Sequence, residues 1–143
     1  MALSFTVQCQ QWAEKLDINV STVVRRCAAQ LYSDIVTRWP VDTGYSRRNW
    51  QVSVDPPPTD VIGVPPKKVK GKATEVLPPL YEPSGANDQT LNMIPKGTMK
   101  IWLVNNVVYA EALENGWSKQ APMGCVRIAI AQLRKDMIMQ GIK

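Results

Sequence analysis

Apolar residues recur every three or four positions through the first forty residues of the chain. They are Phe5, Cys9, Trp12, Leu16, Val20, Val23, Cys27, Leu31, Ile35 and Trp39. This period is typical of an amphipathic helix. Capping residues between Asp17 and Ser21 interrupt it, so the pattern predicts either two helices that meet near Asn19 or one long helix with a kink there. Pro40 lacks an N–H, and the helix is therefore predicted to end at or just before Trp39.

A turn and then a strand are predicted after Pro40. Asp42 and Thr43 carry side-chain oxygens that can bind nearby backbone N–H groups, and Gly44 tolerates a positive φ. From Asn49 onward polar and apolar residues alternate, which predicts a half-buried strand. The apolar positions of that strand are Trp50, Val52 and Val54.

Prolines concentrate in the middle of the chain, where nine of the eleven lie between Asp55 and Pro95. Proline cannot donate to a strand ladder and blocks helix interiors, so residues 55–98 are predicted to form an extended arm or loop with at most short edge pairings. Such a segment rarely contributes to the core of its own domain. Two interpretations stay open: an arm that partner subunits order, or a mobile surface loop.

Regular patterns return after the arm. The run from Met99 to Val104 predicts a strand, and Asn105-Asn106 predicts a turn or bulge after it. A short helical turn closed by Gly116 follows, and the last helix is predicted to open with Pro122 in its first turn. The predicted fold is α+β, with a long N-terminal helix and a C-terminal helix packed on a small antiparallel sheet. The proline-rich arm lies between the strands, and residues 1–143 form a single domain.

Composition disfavours catalysis. The chain has no histidine, which removes the usual general base and the commonest metal ligand, and it has no P-loop or dinucleotide-binding glycine motif. Glu111 and Glu114 lie three residues apart and would share one helical face, but two solvated glutamates are the ordinary outcome of this spacing. We therefore expect no enzyme, with no catalytic, cofactor-binding or metal-binding residues.

The cysteines and the hydropathy pattern bear on the compartment. The three cysteines share no CxxC spacing and lie in apolar surroundings, which predicts buried, reduced thiols and a cytosolic setting. No segment has the basic and apolar pattern of a signal peptide or the length of a membrane span. We expect a protein that is neither exported by such a signal nor a membrane protein.

The net charge of +5 keeps nucleic-acid binding open as an alternative. Arg25-Arg26, Arg47-Arg48 and the lysines of Lys67–Lys72 could meet phosphates, while Trp50 or Trp102 could stack on bases. Both tryptophans, however, fall on predicted strands, where tryptophan usually belongs to a core or an interface. The chain also has too few predicted strands for a five-stranded single-strand-binding barrel. A structural or assembly module is the competing interpretation.

Two sequence blocks resemble a known family. The first is PVDTG, from Pro40 to Gly44, followed by RRNW, from Arg47 to Trp50. The second is VNNVVYAEALENGWSKQAPMGCVRIAI, from Val104 to Ile130. Together they resemble the tail-completion and neck proteins of tailed bacteriophages, the group that includes the minor tail protein Z of phage lambda. In that family the turn joins the long helix to the first strand, and the second block packs a short helix on the sheet. The arm does not contribute to the resemblance.

The resemblance implies a structural virion protein that acts by assembly and is not an enzyme. Such proteins form a ring, often of six copies, at the head–tail junction or at the head-proximal end of the tail. The implied partners are further copies of the chain and other phage neck and tail proteins, namely a connector or adaptor, a tail terminator and the tail tube. Non-specific contact with genomic DNA in the channel is also implied. The protein would be assembled in the host cytoplasm and located in the virion.

Candidate residues follow from these expectations. The structural turn consists of Pro40, Val41, Asp42, Thr43 and Gly44. The candidate interface residues are Arg47, Arg48, Lys67, Lys68, Lys70, Lys72, Tyr81, Leu91, Met93, Trp117 and Lys119. Arg47 and Arg48 are included because the sequence gives them no local role. The lysine cluster is predicted to face outward or toward a partner protein, since a strongly basic channel would hold DNA and prevent its sliding.

Overall fold

The computed structural model describes residues 20–81, 93–98 and 100–139. Its elements in chain order are α1 (Val20–Arg38), α2 (Tyr45–Arg48), β1 (Trp50–Ser53), β2 (Lys68–Val69), β3 (Lys72–Ala73), β4 (Trp102–Asn105), α3 (Ala110–Glu114) and α4 (Val126–Met139). The predicted break near Asn19, the candidate residue Leu91 and the start of the predicted strand at Met99 lie outside the described residues.

Helix α1 ends where the sequence predicts. The Trp39 N–H donates to the Ile35 carbonyl at 2.9 Å, and Pro40 then stops the hydrogen-bond series. One face of α1 is buried and packs along α4 and against β1. The buried side chains of α1 include Val23, Tyr32 and Ile35, and the last two belong to the same buried apolar cluster as Ala129 of α4.

Two antiparallel strands form the small sheet against which the helices pack. Strand β1 pairs with β4, with Trp50 opposite Asn105 and Ser53 opposite Trp102. Along β1 the predicted alternation holds, because Trp50 and Val52 are buried while Gln51 and Ser53 are half-buried. Val54 lies beyond the end of the strand and is exposed. The α+β prediction is confirmed.

Two helix boundaries differ from the prediction. The turn leads first into the short helix α2 and only then into β1, a step that the alternating pattern does not reveal. The last helix begins at Val126 and not at Pro122. Gly124 lies between them with φ +81°, and a residue in the left-handed region cannot continue a right-handed helix.

The arm contributes to the core, and the prediction that it stays outside is wrong. Ile94 is buried in the main apolar cluster, and Leu77 and Tyr81 pack against that cluster. Proline prevents ladder hydrogen bonds, but it leaves the side chains between prolines free to pack. Side-chain amides from outside the arm bind its backbone carbonyls in place of strand hydrogen bonds. Asn106 Nδ2 donates to Pro58 O at 2.9 Å, and Gln51 Nε2 donates to Asp60 O at 2.8 Å.

None of the helices in the described ranges is long and apolar enough to cross a bilayer.

Asn49 connects the arm to the first strand from a fully buried position. Its Nδ2 donates to Tyr45 O at 2.9 Å and to Ile62 O at 3.2 Å, while its Oδ1 accepts from Ile62 N at 2.6 Å. We expect Asn49→Ala to lower the free energy of unfolding by about 3 kcal/mol, because buried backbone groups lose their partners. Urea unfolding measures this loss. Gln51→Ala removes one exposed bond and should cost less than about 1 kcal/mol; equal losses in the two variants would contradict this role for Asn49.

Candidate assembly interface

Residues 39–50, which we call the tryptophan loop, are closed at their two ends by an aromatic contact. The rings of Trp39 and Trp50 meet edge to face, with centroids 5.1 Å apart and an interplanar angle of 87°. The Trp39 indole N–H donates to Ser46 Oγ at 2.9 Å. Both tryptophans belong to the buried core. The turn that carries the first sequence block is therefore held on the core from both sides.

The arm crosses directly over this turn. Gly44 has φ +80°, and a Cβ at this position would lie only 2.2 Å from the Leu77 carbonyl oxygen. The Leu77 N–H donates to Thr43 O at 2.7 Å. Arg47 Nη2 donates to Leu77 O at 2.7 Å, and Arg48 Nη1 donates more weakly to Pro78 O at 3.4 Å. Gly44 is thus required both by its backbone conformation and by the approach of the arm.

The arginines of the first block therefore have a local role, and the prediction that they have none is wrong. Sequence reasoning missed this role because their acceptors are main-chain carbonyls thirty residues further along the chain. Every residue has a backbone carbonyl, so the residue types of the arm do not show which carbonyl accepts a hydrogen bond. Arg47 and Arg48 are half-buried and bind the protein's own arm.

Tyr32 holds the far end of the same arm segment. Its hydroxyl accepts from Tyr81 N at 2.9 Å and donates to Tyr81 O at 3.3 Å. The two rings meet edge to face at 5.4 Å. Burial raises the pKa of the Tyr81 hydroxyl, and a hydrogen bond with the Val52 backbone partly offsets this rise. Tyr81, a predicted interface residue, therefore packs on its own chain. The residues that bind the arm are called the arm seat, namely Tyr32, Thr43, Gly44, Arg47 and Arg48.

Glu114 of the second block caps helix α4. Its Oε2 accepts from the backbone N–H groups of Cys125 and Val126 at 2.8 and 2.9 Å, and its Oε1 accepts from that of Arg127 at 3.1 Å. A carboxylate is well placed here, because the first N–H groups of a helix lack partners and the helix dipole is positive at this end. Glu114 is thus not a solvated glutamate, because its carboxylate binds the start of α4, whereas Glu111 is exposed.

These hydrogen bonds change the titration of Glu114. Burial raises its pKa, but the three backbone donors and the Arg127 side chain together outweigh burial and hold the pKa below its ordinary value of 4.5. The cap therefore persists at neutral pH.

Direct hydrogen bonds join the two sequence blocks. The Val41 N–H donates to Gln120 Oε1 at 3.0 Å, and Gln120 Nε2 donates back to Val41 O at 2.9 Å. Asn105 Nδ2 donates to Ser46 O at 2.8 Å. Two blocks that are separated by 53 residues in the sequence, 51–103, therefore form one folded unit.

The predicted burial of cysteines is confirmed where the structure describes them, at Cys27 and Cys125. The Cys125 thiol donates to Arg38 O at 3.2 Å. Burial, and then the negative charge of Glu114, raise the pKa of this thiol to about 11. Cys125 is therefore a structural thiol with little thiolate at neutral pH.

Large apolar side chains are exposed on both sides of α3. Trp117 is 80% exposed and Met123 is 75% exposed, and both lie in the connection from α3 to α4. Their backbones come together because Gly116 packs against the Pro122 carbonyl. Val108, in the turn before α3, is 99% exposed. We call Trp117 and Met123 the loop patch; the candidate Lys119 lies between them and is also exposed.

The candidate lysines lie together on the hairpin of β2 and β3, where all four are exposed: Lys67, Lys68, Lys70 and Lys72. Lys68 forms an ion pair with Asp42 of the turn. Met93, the other candidate residue of the arm that the structure describes, is 39% exposed.

A cleft of about 460 Å³ lies between the turn, the hairpin and α3, with Tyr45, Pro66 and Tyr109 among its lining residues. Burial, followed by the nearby Tyr45 and Asp42, raises the pKa of the Tyr109 hydroxyl, while Lys68 lowers it. In the described part of the chain, no three histidine, cysteine or acidic residues come close enough to hold a metal ion.

Comparison of the chain with protein-family models, with curated proteins and with solved structures finds no match. We therefore infer the function from the two sequence blocks and from the geometry of the surface that they build.

Replacement of Gly44 tests the contact between the turn and the arm. Gly44→Ala and Gly71→Ala both place a side chain at positive φ, which costs roughly 1–2 kcal/mol. A Cβ at Gly71 contacts nothing within 4 Å. We expect Gly44→Ala to lower the free energy of unfolding by a further ~1–3 kcal/mol, because the Leu77 backbone must move. Urea unfolding of both variants measures the difference, and equal losses would disprove the contact.

Replacement of Glu114 tests the cap of α4. We expect Glu114→Gln to lower the free energy of unfolding by about 1 kcal/mol at neutral pH, with Glu111→Gln as the matched control. The folded-state pKa of Glu114 is lowered from 4.5. Its contribution to the free energy of unfolding is therefore complete above about pH 4.5 and is lost as the pH falls through the lowered pKa. Urea unfolding from pH 7 to pH 3 should therefore show the wild type and Glu114→Gln converging in acid. A difference that does not depend on pH would contradict the ionised cap.

Proposed function

We propose that this chain is a structural virion protein of a tailed phage, which forms a ring at the head–tail junction or at the head-proximal end of the tail. One observation carries the proposal. The two blocks that carry the family resemblance are joined in one folded unit, through the paired bonds between Val41 and Gln120 and through the β1–β4 ladder. The residues that resemble the family thus build a common framework and are not scattered over the surface.

The exposed residues of the second block support a role in assembly. Trp117 and Met123 leave most of their apolar surface in water, and burial of such surface contributes roughly 25 cal/mol per Å². Tryptophan is also among the residues that most often dominate binding energy at interfaces. A contact between this patch and a different surface of the next copy would be heterologous, and a heterologous contact closes into a ring when the rotation divides a full circle.

The arrangement of carboxylates favours binding over catalysis. Glu114 is committed to the N-terminus of α4, while Glu111 is exposed on the same short helix. The chain also contains no histidine. These features support a protein that acts by binding other molecules.

Within this proposal the hairpin of β2 and β3, which carries the four candidate lysines, faces a partner protein or the outside of the ring. Four exposed lysines around a channel would hold the duplex, because each neutralised phosphate adds salt-dependent affinity. A ring structure in which Lys67, Lys68, Lys70 and Lys72 line the channel would overturn this orientation.

Self-association is the direct test of the proposed function. We expect size-exclusion chromatography with light scattering to show a discrete oligomer that forms as the protein concentration rises. Trp117→Ala should weaken each subunit contact about thirtyfold, the effect of removing a 2 kcal/mol anchor. Trp117→Phe should weaken it less, because it retains an aromatic ring. Neither change should alter the unfolding of the monomer, since the indole is largely in water.

Two results would contradict the proposal. One is a protein that stays monomeric at all concentrations, both alone and with neighbouring tail proteins. The other is a monomer that binds duplex DNA tightly and loses affinity steeply with salt, which would favour a nucleic-acid-binding protein.

A further inference from the structure

The arm seat recognises residues 77–81 through their main chain. The Thr43 carbonyl and the Tyr32 hydroxyl accept from the backbone N–H groups of Leu77 and Tyr81. The side chains of Arg47, Arg48 and Tyr32 donate to the carbonyls of Leu77, Pro78 and Tyr81. The side chains of Leu77 and Tyr81 pack against the core beside these bonds. This is how proteins commonly bind an extended peptide, with the backbone supplying affinity and alternate side chains filling pockets.

The segment before this bound stretch is loosely attached. Residues 64–76, which we call the linker, carry Val64, Val69 and Val76 with 58–80% of each side chain exposed. Among the described residues, the hydrogen bonds of the linker outside its own ladder are internal, from Thr74 to Lys67 O. The ion pair between Lys68 and Asp42 ties it to the turn. Its hairpin has only two residues in each strand, which is marginal as an independent structure.

We propose that in the assembled ring residues 77–81 of each copy occupy the arm seat of the neighbouring copy, an inference that rests on the proposed ring. The seat binds main-chain atoms, so it accepts the same segment from its own chain or from a neighbour with the same contacts. Exchange of identical elements between subunits is a low-cost route to association.

The thirteen residues of the linker reach at most roughly 40 Å when extended, at about 3.3 Å per residue, so the exchange requires the neighbouring seat to lie within that distance.

Ring closure would favour the exchanged form. In the free monomer the tethered arm has a high effective concentration at its own seat, so the closed form is preferred. In a ring whose neighbouring seat lies within reach of the linker, the arm has a comparable effective concentration at that seat, and this advantage disappears. The linker would then run between two copies, where its exposed valines become buried. The exchange therefore adds apolar contact without losing any bond of the seat.

Crosslinking tests the exchange directly. Arg48→Cys and Pro78→Cys place thiols at adjoining points of the seat and the arm, in a chain that also carries Cys9→Ser. Cys27 and Cys125 are buried and can remain. A short bis-maleimide reagent is added to the oligomer, and the products are separated on a denaturing gel. Exchange predicts a ladder of covalent multimers in which each step adds one chain, whereas each single-cysteine variant should give at most dimers.

The same cysteine pair in the Trp117→Ala background provides the matched control, because dilute monomers should give only internal bridges. An oligomer of full size on light scattering that yields internal bridges, or no bridge, would overturn the exchange and leave the proposed ring intact. A chain that is monomeric before crosslinking would overturn the ring, and the exchange with it.

Discussion

The edge-to-face contact between Trp39 and Trp50 positions the turn, and the turn then positions the arm and the second sequence block. These residues flank the turn, and their 5.1 Å packing fixes the direction in which the chain leaves α1 and enters β1. Ser46 accepts the Trp39 indole N–H, so the short helix α2 is held against the same pair. An aromatic pair of this kind contributes about 0.5–1.5 kcal/mol beyond the area that it buries.

The tryptophan loop contacts two other parts of the chain, the arm and the connection from α3 to α4. On one side it presents Thr43, Gly44 and Arg47 to the arm. On another side of the loop, the Val41 backbone forms two hydrogen bonds with Gln120, which attach the connection from α3 to α4. The α3 helix then brings Glu114 to the start of α4, and the helix begins where the carboxylate can accept its first N–H groups. Trp117 and Met123 remain exposed on this connection, which Gln120 bonds to the Val41 backbone.

Local signals in the sequence predicted the features that local physics decides. Pro40 ended the helix, Gly44 and Gly116 adopted positive φ in turns, and the alternation at Trp50 and Val52 marked the buried face of β1. Two errors were local, namely the unforeseen helix α2 and the start of α4 at Val126, and the others concern contacts between distant residues. Nothing near Glu114 shows that its carboxylate reaches a helix that starts twelve residues later, and nothing near Arg47 shows a carbonyl thirty residues away. The burial of Ile94 was missed because the proline content of the arm hid its apolar side chains.

We propose that copies of this framework assemble around a channel. Negative-stain electron microscopy of the purified chain, at the concentration where light scattering shows association, can reveal such an assembly. A ring would give end-on views of closed particles with a stain-filled centre and a single rotational symmetry. Compact particles of monomer size, or open filaments that never close, would contradict it.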